Sequence, residues 1–111
     1  MKYKSLALIP VTGVSHNREI RKKVLIANGE IPHITQLSRV ILKPGQIATV
    51  HKHSDMYEIF NIESGKGKIL VDNNEFKLTA GVCIIVEPDE EHEVQNTDQD
   101  DLTITITGIK V

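Results

Sequence analysis

The sequence predicts an all-β fold built from antiparallel strands. Residues 102–107 alternate apolar and polar side chains with a period of two and are rich in β-branched residues, which is typical of a strand with one buried face. Turn-forming residues recur along the chain, commonly about ten residues apart, as in an antiparallel sandwich or barrel. The one helical alternative, residues 17–23, rests on Ile20 and Val24 four positions apart, and this charged stretch could equally lead into a strand.

Turn signals separate the predicted strands. Asn28-Gly29 suits a tight turn with positive φ, and Asp72-Asn73-Asn74 is typical of a hairpin. The segments between the turns are mostly apolar or β-branched, which favours strands. The strands predicted in this way cover residues 24–26, 34–42, 68–71, 75–78 and 83–86, a stretch that begins at Val94, and residues 102–107.

Composition restricts the classes of function. The chain has 111 residues, enough for one domain, with 40% hydrophobic residues, 25% charged residues and a net charge of −2. This balance gives no electrostatic reason to expect nucleic acid, and the apolar run 6–9 is too short for a signal segment or a membrane span. The single cysteine, Cys83, excludes an intramolecular disulfide and favours a reducing, cytoplasmic compartment. We expect Cys83 to be a small core residue of its apolar strand.

Three histidines and a glutamate are the residues best suited to chemistry. His51 and His53 lie two positions apart, so their side chains leave the same face of a strand. Glu58 follows beyond a tight turn, and His92 stands at the mouth of a later strand. These side chains could converge on one divalent metal, and three nitrogens with one carboxylate suit Mn, Fe, Co, Ni, Cu or Zn. Singly, each is an ordinary surface residue, so the metal site rests on their joint spacing.

This joint spacing resembles the first motif of the cupin family. That motif is a glycine, five residues, His-x-His, three or four residues, Glu, six residues and a second glycine. The residues that match it are Gly45, His51, His53, Glu58 and Gly65. The whole resemblance spans residues 37–107.

The second cupin motif is also present, with two departures. It is a glycine, five residues, Pro-x-Gly, two residues, His, three residues and Asn, and Gly81, His92 and Asn96 stand at the matching intervals. Glu87 replaces the usual proline and Asp89 the usual glycine. Aspartate tolerates turns and left-handed backbone better than most residues, so we expect a turn before His92 all the same.

The resemblance implies a double-stranded β-helix, a small antiparallel β-barrel of jelly-roll type, with residues 1–111 as one domain. It implies His51, His53, Glu58 and His92 as ligands of one divalent transition metal per chain. It further implies an enzyme of dioxygenase type acting on a small, partly apolar substrate, with Glu58 as both ligand and proton acceptor. Two alternatives stay open: an isomerase or lyase of a carbonyl or sugar-like substrate, and a non-catalytic module that binds a metal or small molecule.

Strand alternation predicts the walls of a pocket around this metal. Tyr57 should point away from it, and Met56 either caps the pocket or covers its rim. Asn96 either orients other groups near the metal or is an ordinary polar residue of a strand. The residues expected to line the pocket are Ile47, Thr49, Phe60, Ile62, Val94, Asn96, and either Ile104 and Ile106 or the threonines between them.

The charged clusters are interpreted as solvated surface. The basic residues among 18–23 are mixed with an acid and form no nucleic-acid patch. The acidic residues among 87–93 are expected in a loop; if they rim the metal they disfavour anionic ligands. A nearby lysine would offset them, and the candidates are Lys43, Lys52 and Lys66. His16 and His33 lie outside both motifs and are expected at the surface.

The N-terminal segment leads to a prediction about assembly. Residues 3–14, within the N-terminal strands expected over 1–36, have no obvious place in the core of so small a barrel. Small cupins commonly pair strands between subunits. We therefore predict a homodimer in which this segment is exchanged onto the partner's sheet.

Overall fold

The structure is a computed structural model that describes residues 1–14 and 17–111, and it confirms the all-β fold. A short 3₁₀-helix, Leu6–Leu8, precedes the first strand. Among the described residues, no helix is long and apolar enough to cross a lipid bilayer. The described strands are, in chain order, β1 (Thr12–Val14), β2 (Asn17–Ile26), β3 (Ile34–Leu42), β4 (Ile47–His51), β5 (Met56–Ser64), β6 (Lys66–Val71), β7 (Asn74–Thr79), β8 (Cys83–Val86), β9 (His92–Gln95) and β10 (Leu102–Lys110).

These strands form two antiparallel sheets that enclose the core between them. The large sheet has the order β1-β2-β3-β10-β5-β8, and the small sheet has the order β4-β9-β6-β7. Strands distant in sequence, such as β3 and β10 or β4 and β9, are neighbours, which confirms the predicted jelly-roll arrangement. Apolar side chains from both sheets meet in one buried cluster, whose largest fully buried members are Ile20, Leu42, Ile69, Leu78, Leu102 and Ile104.

Strand β2 settles the question left open over residues 17–23. This segment pairs with β1 on one side and with β3 on the other, where Arg21 lies opposite Ile41. Ile20 is fully buried in the core. Pairing on both sides satisfies the backbone of the strand, and this tertiary context overrides the weak four-residue spacing of Ile20 and Val24.

The expectation that Cys83 is a core residue is wrong. Its strand, β8, has the predicted bounds but lies at the edge of the large sheet, where Cys83 is exposed. Successive side chains of a strand leave opposite faces, so Ile84 and Val86 point inward while Cys83 and Ile85 face solvent. Ile85 is 62% exposed, which shows that the apolar run reflects an edge strand rather than a buried one.

The N-terminal segment lies on the surface. Leu8 is 85% exposed, and the segment is held by the Lys4 ammonium, which donates to the Glu30 carboxylate at 2.7 and 2.8 Å. The bond from Lys4, together with the backbone N–H of Ala27, lowers the pKa of Glu30 to about 2. Exchange of this segment with a second chain stays a prediction.

Candidate metal centre

His51, His53, Glu58 and His92 come together between the two sheets. His51 is the last residue of β4, His53 lies in the loop that follows, Glu58 is on β5, and His92 begins β9. One donor atom from each of the four lies within 4.8 Å of the others. The structure therefore assembles the set that the two motifs predict.

A β-bulge in β4 places His51 opposite His92. Ala48 pairs with Val94, so a regular antiparallel register would put Val50 opposite His92. The register shifts between Ala48 and His51, and His51 takes that position instead. The extra residue of the bulge turns the imidazole toward the centre and leaves Val50 exposed. The rings of His51 and His92 have centroids 4.1 Å apart.

The same bulge makes one part of the predicted pocket wrong. Counting back from His51 in steps of two put Ile47 and Thr49 on the metal face, but both are exposed. Ala48 is the residue that points inward, at 8% exposure, and it lines the cavity. An inserted residue reverses the alternation on one side of a bulge, and the sequence carries no signal for it.

Backbone carbonyls fix the orientation of two of the rings. His51 Nδ1 lies 2.8 Å from the Thr49 carbonyl oxygen, and His92 Nδ1 lies 3.0 Å from that of Glu90. Each Nδ1–H donates to its carbonyl, which leaves Nε2 as the nitrogen directed at the centre. The pattern is the same in both: the acceptor lies two residues before the histidine.

Glu58 Oε1 is shared between two histidines. It lies 3.0 Å from His92 Nε2 and 3.3 Å from His53 Nε2. Burial alone would raise the pKa of the Glu58 carboxyl, but the hydrogen bond from His92 and the nearby charge of His53 bring the pKa below its usual value.

The histidine pKa values shift in opposite directions. Burial lowers the pKa of His92, which is 1% exposed, but its bonds to Glu58 and to the Glu90 carbonyl outweigh burial and raise it. Burial lowers the pKa of His51, and the adjacent His92 lowers it further. Within the cluster, His92 therefore favours its protonated form and His51 disfavours it.

The cluster fits a single metal ion. Ligands on opposite sides of an ion, each at about 2.1 Å, lie about 4.2 Å apart, and adjacent ligands lie closer. The spread of donor atoms, within 4.8 Å, matches that requirement with little adjustment. Three imidazoles with one carboxylate suit first-row transition metals, and the second nitrogens of His51 and His92 are already bonded to the protein.

The loop before His92 accommodates the departures from the second motif. Asp89, where a glycine is usual, has φ 68°, the left-handed conformation that aspartate tolerates. Its N–H donates to the His53 carbonyl at 2.7 Å, which ties this loop to the loop that carries His53. The turn expected before His92 is confirmed.

A mostly apolar cavity of about 450 Å³ adjoins the cluster. Tyr57 points away from it, as predicted, and Met56, the first residue of β5, lines it. Ile62 is buried in the core but is not among the cavity residues. The predicted lining is confirmed for Phe60 and Val94, and of the two alternatives on β10 the cavity is lined by Ile104 and Ile106 rather than by the threonines.

Asn96 does not line the cavity. It is buried just after β9, and its amide nitrogen donates to the carbonyls of Leu42 and Asp100, each at 2.8 Å. Its side-chain oxygen accepts from the backbone of Asp98 at 2.9 Å. These bonds hold the β9–β10 loop against the end of β3, so the role of Asn96 is structural.

The sequence interpretation missed Lys22. It was assigned to a solvated basic face, but it lines the cavity, whereas Lys43, Lys52 and Lys66 do not. The signal was available: in a strand, Lys22 shares the face of the buried Ile20.

The acidic side chains of residues 87–93 and the imidazole of His33 lie away from the cavity lining. The acidic side chains of 87–93 do not line it, although the Glu90 carbonyl orients His92. His33 is exposed, as expected. His16 falls outside the described residues.

The fold and the cluster together define a jelly-roll protein with a candidate metal centre inside the barrel. A family model described as a cupin domain matches residues 38–108, and the chain belongs to the cupin family. It is 32% identical over 60 residues to an uncharacterized protein of Methanocaldococcus jannaschii, a match that covers 54% of this chain and 48% of that protein. It is 31% identical over 65 residues to the oxalate-binding protein of Thermotoga maritima, a match that covers 59% of this chain and 54% of that protein.

The chain spans about half the length of these curated relatives. Among solved structures, that of a predicted oxalate decarboxylase from Thermotoga maritima superimposes with a TM-score of 0.91 over 99% of this chain and 100% of that one. Its sequence identity is 22%, so this similarity concerns the fold.

Proposed function

We propose that this chain is a metal-dependent enzyme of dioxygenase type that acts on a small, partly apolar substrate. His51, His53, Glu58 and His92 are its proposed metal ligands. The supporting observation is that these four side chains cluster beside an apolar cavity of about 450 Å³. A bound divalent metal would supply Lewis-acid or redox chemistry to an oxygen of the substrate or to dioxygen.

The chain's own residues have separate tasks in this proposal. Glu58 accepts a proton from the substrate, because its carboxylate lines the cavity and its lowered pKa keeps it ionised at neutral pH. The Thr49 and Glu90 carbonyls hold two imidazoles in their ligating orientation. Phe60, which packs on the His92 ring with centroids 5.8 Å apart, excludes water from one side of the cluster.

Elemental analysis and oxygen uptake test the proposal. The purified protein should carry about one transition metal per chain, or take one up from added Fe, Mn, Co, Ni, Cu or Zn. His53→Ala should lose most of this metal, whereas His33→Asn, which removes an exposed imidazole outside the cluster, should retain it. With a panel of small, partly apolar substrates, turnover should consume dioxygen and stop in its absence. Failure of the wild-type chain to bind any of these metals contradicts the proposal.

A second candidate is a lyase or binding protein for small carboxylates. The relatives named for oxalate binding and oxalate decarboxylation favour it. Carbon dioxide release from oxalate would support the lyase, and saturable oxalate binding without turnover would support the binding protein. The cavity itself favours a larger ligand, since oxalate would fill only a small part of about 450 Å³.

We also propose that the chain forms a homodimer, and that it functions in the cytoplasm. The exposed apolar side chains of the N-terminal segment, Tyr3, Leu8 and Val11, support the dimer. The location rests on the single cysteine alone. A monomeric mass by light scattering at working concentration would contradict the dimer.

A further inference from the structure

Lys22 is a cation on the inner face of an otherwise mostly apolar sheet. It lies directly opposite Val40, and Val40 lies opposite Ile104; both apolar residues are buried and line the cavity. Paired residues of neighbouring strands share a face, so the Lys22 side chain leaves β2 on the cavity side. Its ammonium donates to Gln36 Oε1 at 3.3 Å, and Gln36 also lines the cavity.

The strand register places Gln36 on the same sheet as Glu58, one of the four clustered residues. Gly108 of β10 lies opposite Gln36 on one side and opposite Glu58 on the other. Neighbouring strands are about 4.8 Å apart, so the backbones at Gln36 and Glu58 are separated by about 9.6 Å. The side chains of Thr35 and Met56, which also line the cavity, lie over Gly108 and leave no room for a Cβ there.

The charge of Lys22 lacks an ionic partner within the described part of the chain. No carboxylate of residues 1–14 and 17–111 lies within ion-pair distance of its ammonium, and Gln36 is neutral. Asp55 and Glu58 are the carboxylates among the cavity residues, and Glu58 is bonded to two histidines. Lys22 is half-buried at the cavity, where its ammonium can form a charge-assisted hydrogen bond with an anionic group of a ligand.

We propose that Lys22, assisted by Gln36, binds the anionic end of a ligand whose other end coordinates the metal. The ligand class is then an elongated dianion, such as a dicarboxylate with an apolar middle, lying along Val40 and Ile104. This inference rests on the proposed function, because it requires a metal at the His–Glu cluster. It makes Lys22 a specificity-determining residue, which favours ligands with a second negative charge.

Matched probes test the inference on the zinc-loaded protein. One probe series consists of monohydroxamates of linear dicarboxylic acids, and the other of alkyl hydroxamates of the same chain lengths. Both series carry the same metal-binding head and differ only in the distal carboxylate. At the best chain length, the carboxylate should tighten the dissociation constant measured by calorimetry roughly tenfold, as expected for a charge-assisted hydrogen bond.

Variants assign this preference to Lys22. In Lys22→Met the two series should bind equally, while Lys22→Arg should keep most of the preference. Lys23→Met is the matched control, because it removes the same charge from the next residue, whose side chain leaves the opposite face of β2. It should keep the full preference. Zinc stoichiometry, measured for every variant, should stay at that of the wild type.

The outcomes separate the two proposals. Zinc binding with no preference for the distal carboxylate at any chain length overturns the role of Lys22 and leaves the metal centre intact. A preference that persists in Lys22→Met also overturns it. A wild-type chain that binds no metal overturns the proposed function, and the dianion site with it.

Discussion

Metal uptake by this protein should release protons in an amount that depends on pH. Glu58 Oε1 and His92 Nε2 lie 3.0 Å apart, and a proton must lie between them in the metal-free chain. A metal bound at the same two atoms has to displace that proton. The perturbation is therefore zinc titration of the metal-free protein at a series of pH values.

The directions of the pKa shifts indicate how many protons zinc binding releases. The pKa of His92 is raised above its usual 6.5 and that of Glu58 is lowered, so the pair is an imidazolium with a carboxylate below the raised pKa of His92. His51 has a lowered pKa and is uncharged near neutral pH. Zinc should thus release about one proton near neutral pH, and its affinity should rise about tenfold per pH unit until the raised pKa of His92 is passed.

Calorimetry in two buffers of different ionisation enthalpy measures this proton release. The apparent binding enthalpy should differ between the buffers near neutral pH and converge above the raised pKa of His92. His33→Asn, which removes an exposed imidazole outside the cluster, should retain the difference. Equal enthalpies in both buffers at neutral pH would refute the reasoning, because His92 would then be neutral before the metal arrives.

The metal-free fold should show the opposite dependence on pH. A histidine with a raised folded pKa contributes stability that is fully present below its unfolded pKa and is lost as pH rises through the folded value. The melting temperature of the metal-free protein should therefore fall from neutral to alkaline pH through His92. Saturating zinc should remove this fall, because the metal replaces the proton.

Three substitutions test other parts of the fold. Asn96→Ala should lower the free energy of unfolding by about 1–3 kcal/mol in denaturant titrations, because the buried Leu42 carbonyl and the more exposed Asp100 carbonyl lose their donor; altered zinc stoichiometry would argue against a purely structural role. Gly108→Ala would bring a Cβ into a clash with Thr35 Oγ1 and should lower the free energy of unfolding by about 1–3 kcal/mol, and Thr35→Ala in the same chain should recover part of this loss. Glu30→Gln should release the segment held by Lys4, seen as faster amide exchange there; in the wild type that tether should persist in acid until pH approaches about 2.

The fold and the four clustered residues were predictable because they depend on local signals. Turn residues and period-two alternation identify strands one at a time. The spacing of His51, His53, Glu58 and His92 can be read without knowing where each strand begins or ends. The alternation also assigned Phe60 and Val94 to the cavity correctly. Strand β5 is regular between Glu58 and Phe60, and β9 is regular between His92 and Val94.

The predictions were wrong where pairing with a neighbouring strand determines which side chains point inward. The bulge before His51 exists only because β4 pairs with β9 out of regular register, so Ala48 replaces Ile47 and Thr49 in the wall. The exposure of Cys83 follows from the edge position of β8, which depends on the order of strands in the sheet. The sequence of β4 alone does not predict its bulge, and the sequence of β8 alone does not predict its edge position.

The two backbone carbonyls that hold the imidazoles have a consequence for how this barrel can diversify. Each acceptor lies two residues from its histidine, on the same short stretch of chain, so the pose of the ring is encoded locally. Much of the opposite wall comes from β2, β3 and β10, which contribute none of the four clustered residues. In the proposed function, metal coordination and ligand preference would therefore depend on different parts of one small chain. Substitutions on this wall would then change ligand preference without disturbing the four proposed metal ligands.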